Sequence, residues 1–231
     1  MNVLVIDIGG TKVKMLATGE EAPRKFESGP TMAPKDLVMQ AKKLANGWIH
    51  EAISIGYPGV VHHNRIVSEP HNLAGGWVGF DFEAAFGQPV KIINDAAMQA
   101  LGSYRGGKML FLGLGTGLGS SFIVDGIVQP MELGHLPYRH ATYEDYVGQR
   151  GRERLGNKEW RDSVKDVVER LVAALQPDEV VLGGGNVKHL KTLPERCRAG
   201  ENANAFVGGF RLWEQEQAAK ETPKPRSNPR G

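Results

Sequence analysis

Val3-Leu4-Val5-Ile6-Asp7-Ile8-Gly9-Gly10-Thr11-Lys12 opens the chain. Six residues rich in β-branched side chains and closed by two glycines read as a buried strand running into a tight turn. Asp7 is the one ionisable residue in that run. The pattern restarts at Lys108: Met109 to Leu112 reads as a strand, followed by the turn Gly113-Leu114-Gly115-Thr116-Gly117-Leu118-Gly119. Each half thus begins with a strand, a Gly/Thr turn and a further strand. That repetition predicts a duplicated α/β architecture with a cleft between two lobes. The expected lobes are residues 1–104, completed by a C-terminal helix at 205–219, and residues 105–204, with the break near Tyr104-Arg105-Gly106-Gly107. Residues 220–231 read as a basic, disordered tail rich in Pro and Arg.

Between these anchors, Val13–Ala17 and the stretch around Phe26 continue a meander, and Pro34–Ala45 has helical spacing with Pro34 near its start. Strands are expected at Ala52–Ile55, Val90–Ile93 and Glu179–Leu182, and a hairpin over Ser121–Val124 and Ile127–Gln129 around Asp125-Gly126. Helices are expected at Phe80–Phe86, Ala96–Tyr104, Tyr143–Arg154, Trp160–Leu175 and Ala205–Ala218, and residues 62–79 read as a long loop.

The 231 residues are 41% hydrophobic and 23% charged, which is ordinary globular composition. A net charge of +2 is too balanced to suggest a nucleic-acid partner. The single cysteine, Cys197, excludes an internal disulfide and a multi-cysteine zinc site, as expected in a reducing cytoplasm. The N-terminal stretch lacks a basic n-region and reads as a strand, not a signal peptide. No apolar run approaches the roughly 20 residues of a membrane span.

Five segments carry candidate chemistry. At Gly9-Gly10 the backbone can turn sharply and aim N–H groups at one anion; Thr11 adds a hydroxyl, Lys12 follows, and Asp7 could hold Mg²⁺ through water. A plain hairpin would use the same glycines. Gly113 to Gly119 places four glycines in seven residues, more than a turn requires, and favours a second backbone cradle over Gly115, Thr116, Gly117 and Gly119. No Gly-Lys-Ser/Thr follows it, and its spacing does not match a dinucleotide-binding fingerprint. Asn94-Asp95 stands at the C-terminal end of an apolar strand, where α/β ligands bind; Asp95 could accept a hydroxyl proton there or simply cap the next helix. Glu132-Leu133-Gly134-His135 and Glu144 would suit a polyol if the intervening turn folds back, because a carboxylate accepts from adjacent hydroxyls. Ordinary surface charge is the alternative, and softer metal ligands are too few for a metal site. Gly183-Gly184-Gly185, after a strand, would let a flat base or ribose approach the backbone or serve as a helix-entry turn.

Taken in order, these segments resemble the ROK family of bacterial sugar kinases, from about residue 3 to about residue 212. The family pattern is met by Asp7 to Thr11, Gly56-Tyr57-Pro58-Gly59-Val60-Val61, Asn94-Asp95, Gly115 to Gly119, Glu132 to His135, and Gly183 to Gly185. The resemblance implies an actin-like, ribonuclease H-like duplicated fold with the site in the cleft. It implies Asp95 as the base that takes the proton from a hexose 6-hydroxyl. Asn94, Glu132, His135 and Glu144 would bind the sugar, with Gly59 touching it through its backbone. Mg²⁺ and ATP or polyphosphate would be the cofactor and donor. Most members follow the histidine with a cysteine-rich zinc loop. Here Glu144 lies nine residues after His135 with no cysteine between them. That zinc-free connection is similar to the polyphosphate glucokinase branch, as are Gly119-Ser120-Ser121-Phe122, the Trp77 loop and Asp125-Gly126. The implied activity is glucose 6-phosphorylation, or phosphorylation of mannose, fructose or an N-acetylhexosamine. Family members are often homodimers. Two other classes share the architecture: sugar-sensing repressors, whose N-terminal helix-turn-helix is not expected here, and non-catalytic actin-like scaffolds, which have no need of the Asn94-Asp95 and Glu132/His135/Glu144 set.

Overall fold

A computed structural model describes residues 1–201 and 203–221. The elements are β1 (Val3–Ile8), β2 (Lys12–Ala17), β3 (Arg24–Glu27), α1 (Pro34–Leu44), β4 (Ala52–Tyr57), β5 (Val61–His62), β6 (Arg65–Ile66), α2 (Phe82–Phe86), β7 (Val90–Asn94) and α3 (Asp95–Ser103). They continue with β8 (Lys108–Leu114), β9 (Leu118–Val124), β10 (Ile127–Met131), β11 (Pro137–Tyr138), β12 (Ala141–Thr142), α4 (Tyr143–Val147), α5 (Gln149–Leu175), β13 (Glu179–Gly183), β14 (Cys197–Ala199) and α6 (Asn204–Glu221). The basic tail expected at 220–231 falls outside the described residues from 222 onward, and Lys220 and Glu221 belong to α6 instead. Among the described residues no helix is long and apolar enough to cross a membrane.

Two five-stranded sheets repeat one plan. The first has the order β3-β2-β1-β4-β7 and the second β10-β9-β8-β13-β14. In each, the leading strand pairs antiparallel with the strand after its glycine turn and parallel with a later strand: β1 with β2 and β4, β8 with β9 and β13. Every residue of β1 and β4 is buried, because both faces of that sheet are covered.

The two-residue period of a strand decides what covers each face. On β1, Leu4, Ile6 and Ile8 pack toward Leu37, Val38 and Ala41 of α1. Val3 and Val5 face the other way, toward Met98 of α3 and Ala205 and Phe206 of α6. Asp7 continues that second face and so points to the α3 side. In the second sheet, Leu110, Leu112, Val180 and Leu182 pack on Val164, Val168 and Leu171 of α5. Met109, Phe111 and Val181 pack on Ala96 and Ala100 of α3.

Helix α3 is therefore buried between both sheets, and its small residues fit that place. A Cβ on Gly119 would lie 2.9 Å from the Ala96 Cβ. Gly102 and Gly208 lie where α3 and α6 meet backbone to backbone, with no room for a side chain on either. Ser54 of β4 donates to the Gly209 carbonyl (2.7 Å) and accepts from the Trp213 indole N–H (2.9 Å), tying α6 to the first sheet.

Candidate active site

Strand β7 carries its chain to Asn94, and α3 begins at the next residue. The Asn94 Oδ1 accepts the Ala97 N–H (3.1 Å) and so caps the helix, while its Nδ2 donates to the Gly59 carbonyl (3.1 Å). The capping role that the sequence left open for Asp95 is thus taken by Asn94. Asp95 is the first helical residue, with its Oδ1 accepting the Ala96 N–H (2.7 Å). Burial pushes the Asp95 pKa up to about 7. The negative charge of Asp7 adds to that shift, the Ala96 N–H opposes it, and Glu132 raises it further. Asp7 is itself buried, which lifts its pKa, with Lys14 opposite it on β2 pulling the other way.

Two buried carboxylates, one of which raises the other's cost of ionisation, suit a nearby cation. Among the described residues no group of three or more His, Cys, Asp or Glu side chains is arranged to hold a metal ion directly. The pair instead fits a hydrated Mg²⁺, which keeps most of its waters and takes one or two carboxylates together with donor phosphates.

Across the cleft, a buried Ser120 fixes the exit of β10: its hydroxyl donates to the Met131 carbonyl (2.7 Å) and accepts the Leu133 N–H (3.0 Å). A single 3₁₀ turn over Leu133–His135 follows. The small hairpin of β11 and β12 then returns the chain so that the Tyr143 N–H reaches the Leu136 carbonyl (3.0 Å). This short return brings the three expected side chains together. His135 Nε2 lies 3.5 Å from Glu132 Oε2, and His135 Nδ1 lies 3.9 Å from Glu144 Oε1. All three keep 39–61% of their side-chain surface exposed, so their polar atoms face open space. Asn94 and Glu132 line one cavity of about 480 Å³ between the edges of the two sheets, with Val61, His62, Gln129 and Pro130 among its walls.

The glycines divide by role. Gly9 donates its N–H to the Lys12 carbonyl (3.0 Å), and its carbonyl accepts from the Ser28 hydroxyl (2.6 Å). The amide that the sequence assigned to an anion is spent on the hairpin, and Gly10 and Thr11 are the exposed part of that turn. Lys12 pairs with Glu27 at 3.6 Å on the surface. In the second loop a Cβ on Gly115 would meet nothing within 4 Å, whereas one on Gly117 would collide with the Glu144 carboxylate. Gly119 is small for the sake of α3. In the triple glycine, Gly183 packs on the Phe111 ring and Gly184, at φ +85°, presses on the Leu114 backbone; Gly185 alone faces open space. Gly59 lies against the Tyr57 ring, where a Cβ would come within 2.7 Å of it.

The sequence reading missed Asn186. It is buried, its Nδ2 donates to the Gly115 carbonyl (2.9 Å), and its N–H reaches the Leu114 carbonyl (2.9 Å). Together with the Gln149 N–H, which bonds the Gly115 and Thr116 carbonyls (3.0 and 3.1 Å), it ties down the loop's oxygens from behind. An amide side chain directly after a glycine run was the available signal. Glu69 was also missed: its carboxylate accepts the Trp77 and Val78 N–H groups (3.1 and 3.2 Å) and shapes the Trp77 loop.

A family model described as "ROK family" matches residues 3–151. The chain belongs to the ROK family. Polyphosphate glucokinase of Mycobacterium tuberculosis (strain CDC 1551 / Oshkosh) is 29% identical to this ROK chain over 204 residues, covering 78% of the chain and 76% of the relative. N-acetylmannosamine kinase of Citrobacter koseri is 29% identical over 142 residues, covering 54% and 49%. Among solved structures, the inorganic polyphosphate/ATP-glucomannokinase of Arthrobacter sp. strain KM matches with a TM-score of 0.79 at 24% identity, over 93% of this chain and 99% of that one. This ROK chain accordingly has the actin-like fold of ROK sugar kinases that the family resemblance implies.

Proposed function

We propose that this ROK chain phosphorylates glucose at the 6-hydroxyl, with polyphosphate or ATP as donor. The observation that carries the reading is Asp95, released from capping by Asn94 and placed within the influence of Glu132, which itself stands beside His135 and Glu144. Glu132 and Glu144 accept from sugar hydroxyls, His135 bridges them, and Asn94 and the Gly59 backbone complete the sugar's surroundings. Asp95 accepts the 6-hydroxyl proton as that oxygen bonds to the donor's terminal phosphorus and the bridging P–O bond breaks. Gly10, Thr11 and the Gly115–Gly119 backbone hold the donor phosphates. Mg²⁺, held by Asp7 through water, would supply charge neutralisation on those phosphates. In this reading the two sheets mark two lobes that flank the cleft, and the setting is cytoplasmic.

A second reading has its own observation. The cavity of about 480 Å³ beside Asn94 and Glu132 leaves room for an acetamido group, as an N-acetylhexosamine would need. Initial rates with Mg²⁺ and each donor against glucose, mannose, fructose and N-acetylmannosamine separate the two. Preference for glucose supports the first and preference for the N-acetylated sugar supports the second. Silence with every hexose on both donors sinks the kinase reading.

A further inference from the structure

We propose that Arg152, Arg161, Lys188 and His189 form a second anion site that carries the distal phosphates of a polyphosphate donor, an inference that rests on the kinase reading above. The site grows out of the two segments that flank the Gly115 loop. On one side, the Gln149 N–H bonds the loop's Gly115 and Thr116 carbonyls, and Arg152 follows within the same first turn of α5. On the other, Asn186 bonds Leu114 and Gly115, and Lys188 and His189 follow in the 3₁₀ turn Val187–His189. Arg161, further along α5, closes the group by donating its Nε to the His189 carbonyl (2.7 Å). The four residues share one neighbourhood electrostatically: burial, then the charges of Arg152, Lys188 and Arg161, hold the His189 pKa below its ordinary value.

Two further observations point to a ligand. The Nε of Arg152 is buried with no hydrogen-bond partner, an unusual state for a guanidinium nitrogen. Among the described residues no carboxylate lies within ion-pair distance of Arg152, Arg161 or Lys188. Two acids of the same helix are engaged elsewhere: Glu153 accepts from Gln149 (2.7 Å), and Glu159 pairs with Arg139 (3.9 Å). Positive charges gathered without a counter-charge repel one another, and a bound anion relieves that cost. Gly115, in the loop itself, and Gly185, just before Asn186, both face open space, so no side chain covers the backbone there. A nucleoside would call for an apolar face beside the cations. Spaced cations suit a chain of phosphates, which carries charge at every unit and binds through counterion release.

The test is direct binding of medium-chain inorganic polyphosphate to the full chain without sugar, in a salt titration, with wild type, Lys188→Ala, Arg152→Gln and the double variant. Lys188 is exposed, so its replacement leaves the fold intact, and glutamine keeps much of the Arg152 stem. The expected result is a Kd raised about 2–5-fold by each single change and about tenfold by the pair. The salt dependence should become shallower by about 0.7 per charge removed. ATP affinity should stay at the wild-type value. Unchanged polyphosphate binding in Lys188→Ala and in a double variant of normal melting temperature would overturn the proposal. So would equal weakening of ATP, or no polyphosphate binding by wild type. Since no turnover is measured, failure of wild type to phosphorylate any hexose would count against the kinase reading alone.

Discussion

Replacing Asp95 by Asn should move stability and turnover in opposite directions. The carboxyl is lifted from 3.8 to about 7 by burial and by the neighbouring charge of Asp7. About three pKa units correspond to at most about 4 kcal/mol of cost when the group ionises, less what solvent screens at a residue still partly exposed. The sign follows from linkage. Between pH ~4 and ~7 the folded state holds a proton that the unfolded chain has lost, so folding stability falls as pH rises through that window and the full cost is present above it. Asn never ionises, has nearly the same shape, and can still accept the Ala96 N–H. In the absence of Mg²⁺ and donor, the variant should melt with wild type below pH ~4 and above it at pH 8, by about 2–4 °C for each kcal/mol recovered. The same variant should lose about 10²–10⁴-fold in kcat while keeping sugar affinity. Wild-type kcat/KM should rise with pH along a limb near 7, moved lower where Mg²⁺ offsets the Asp7 charge. A melting difference independent of pH, or near-normal turnover by the variant, would refute the reasoning.

Two other perturbations have defined outcomes. Gly117→Ala sets a methyl against the Glu144 carboxylate, whose carbon would lie 3.5 Å from it, and so displaces the proposed sugar ligand from within the proposed donor loop. It should raise the sugar KM about tenfold or more, the cost of about 1.5–3 kcal/mol for losing a hydrogen bond to a charged group, and Glu144→Asp in the same chain should recover part of the loss; a changed donor KM with an unchanged sugar KM would argue against it. Ser120→Ala leaves the Leu133 N–H and the Met131 carbonyl without their partner and should cost about 1–3 kcal/mol per orphaned group in chemical denaturation.

Strands bounded by glycine were readable from sequence because their signal is local. β1, β4, β7, β8 and β13 are apolar runs, and each lies within about two residues of its expected bounds. What escaped was held by long-range partners. β14 is Cys197–Ala199, with no alternation to announce it. It exists because β13 offers a parallel edge and because Arg198 bonds Glu179 (2.6 Å) and the Ser103 carbonyl. The β5–β6 hairpin lay hidden in a His- and Asn-rich loop, since its turn depends on His63 and Asn64 adopting φ of +48° and +65°. The sequence pattern puts one helix break between Arg154 and Trp160, and it falls at Gly156, whose φ is +74°; a second, at Gly148, has no such signal in the pattern.

At the site, residue types were legible and individual duties were not. Asn94 and Asp95 are both good capping residues, and which one caps is decided by backbone geometry at the β7–α3 junction. The glycines of the second loop looked alike in sequence. Gly115 faces open space, Gly117 leaves room for Glu144 and Gly119 for Ala96, a division set by what packs against each one.

The seating of α3 between two sheets also bears on how the molecule is made. During synthesis Asp7 and Asp95 emerge with the first half of the chain. The helix that covers Val3, Val5 and Met98 comes from residues 204 onward, and Ser54 waits for partners 155 and 159 residues away. Until those residues leave the ribosome, part of the first sheet's apolar face is uncovered and α3 lacks one of the elements it packs on. That face is open to misassociation until α6 docks late in translation.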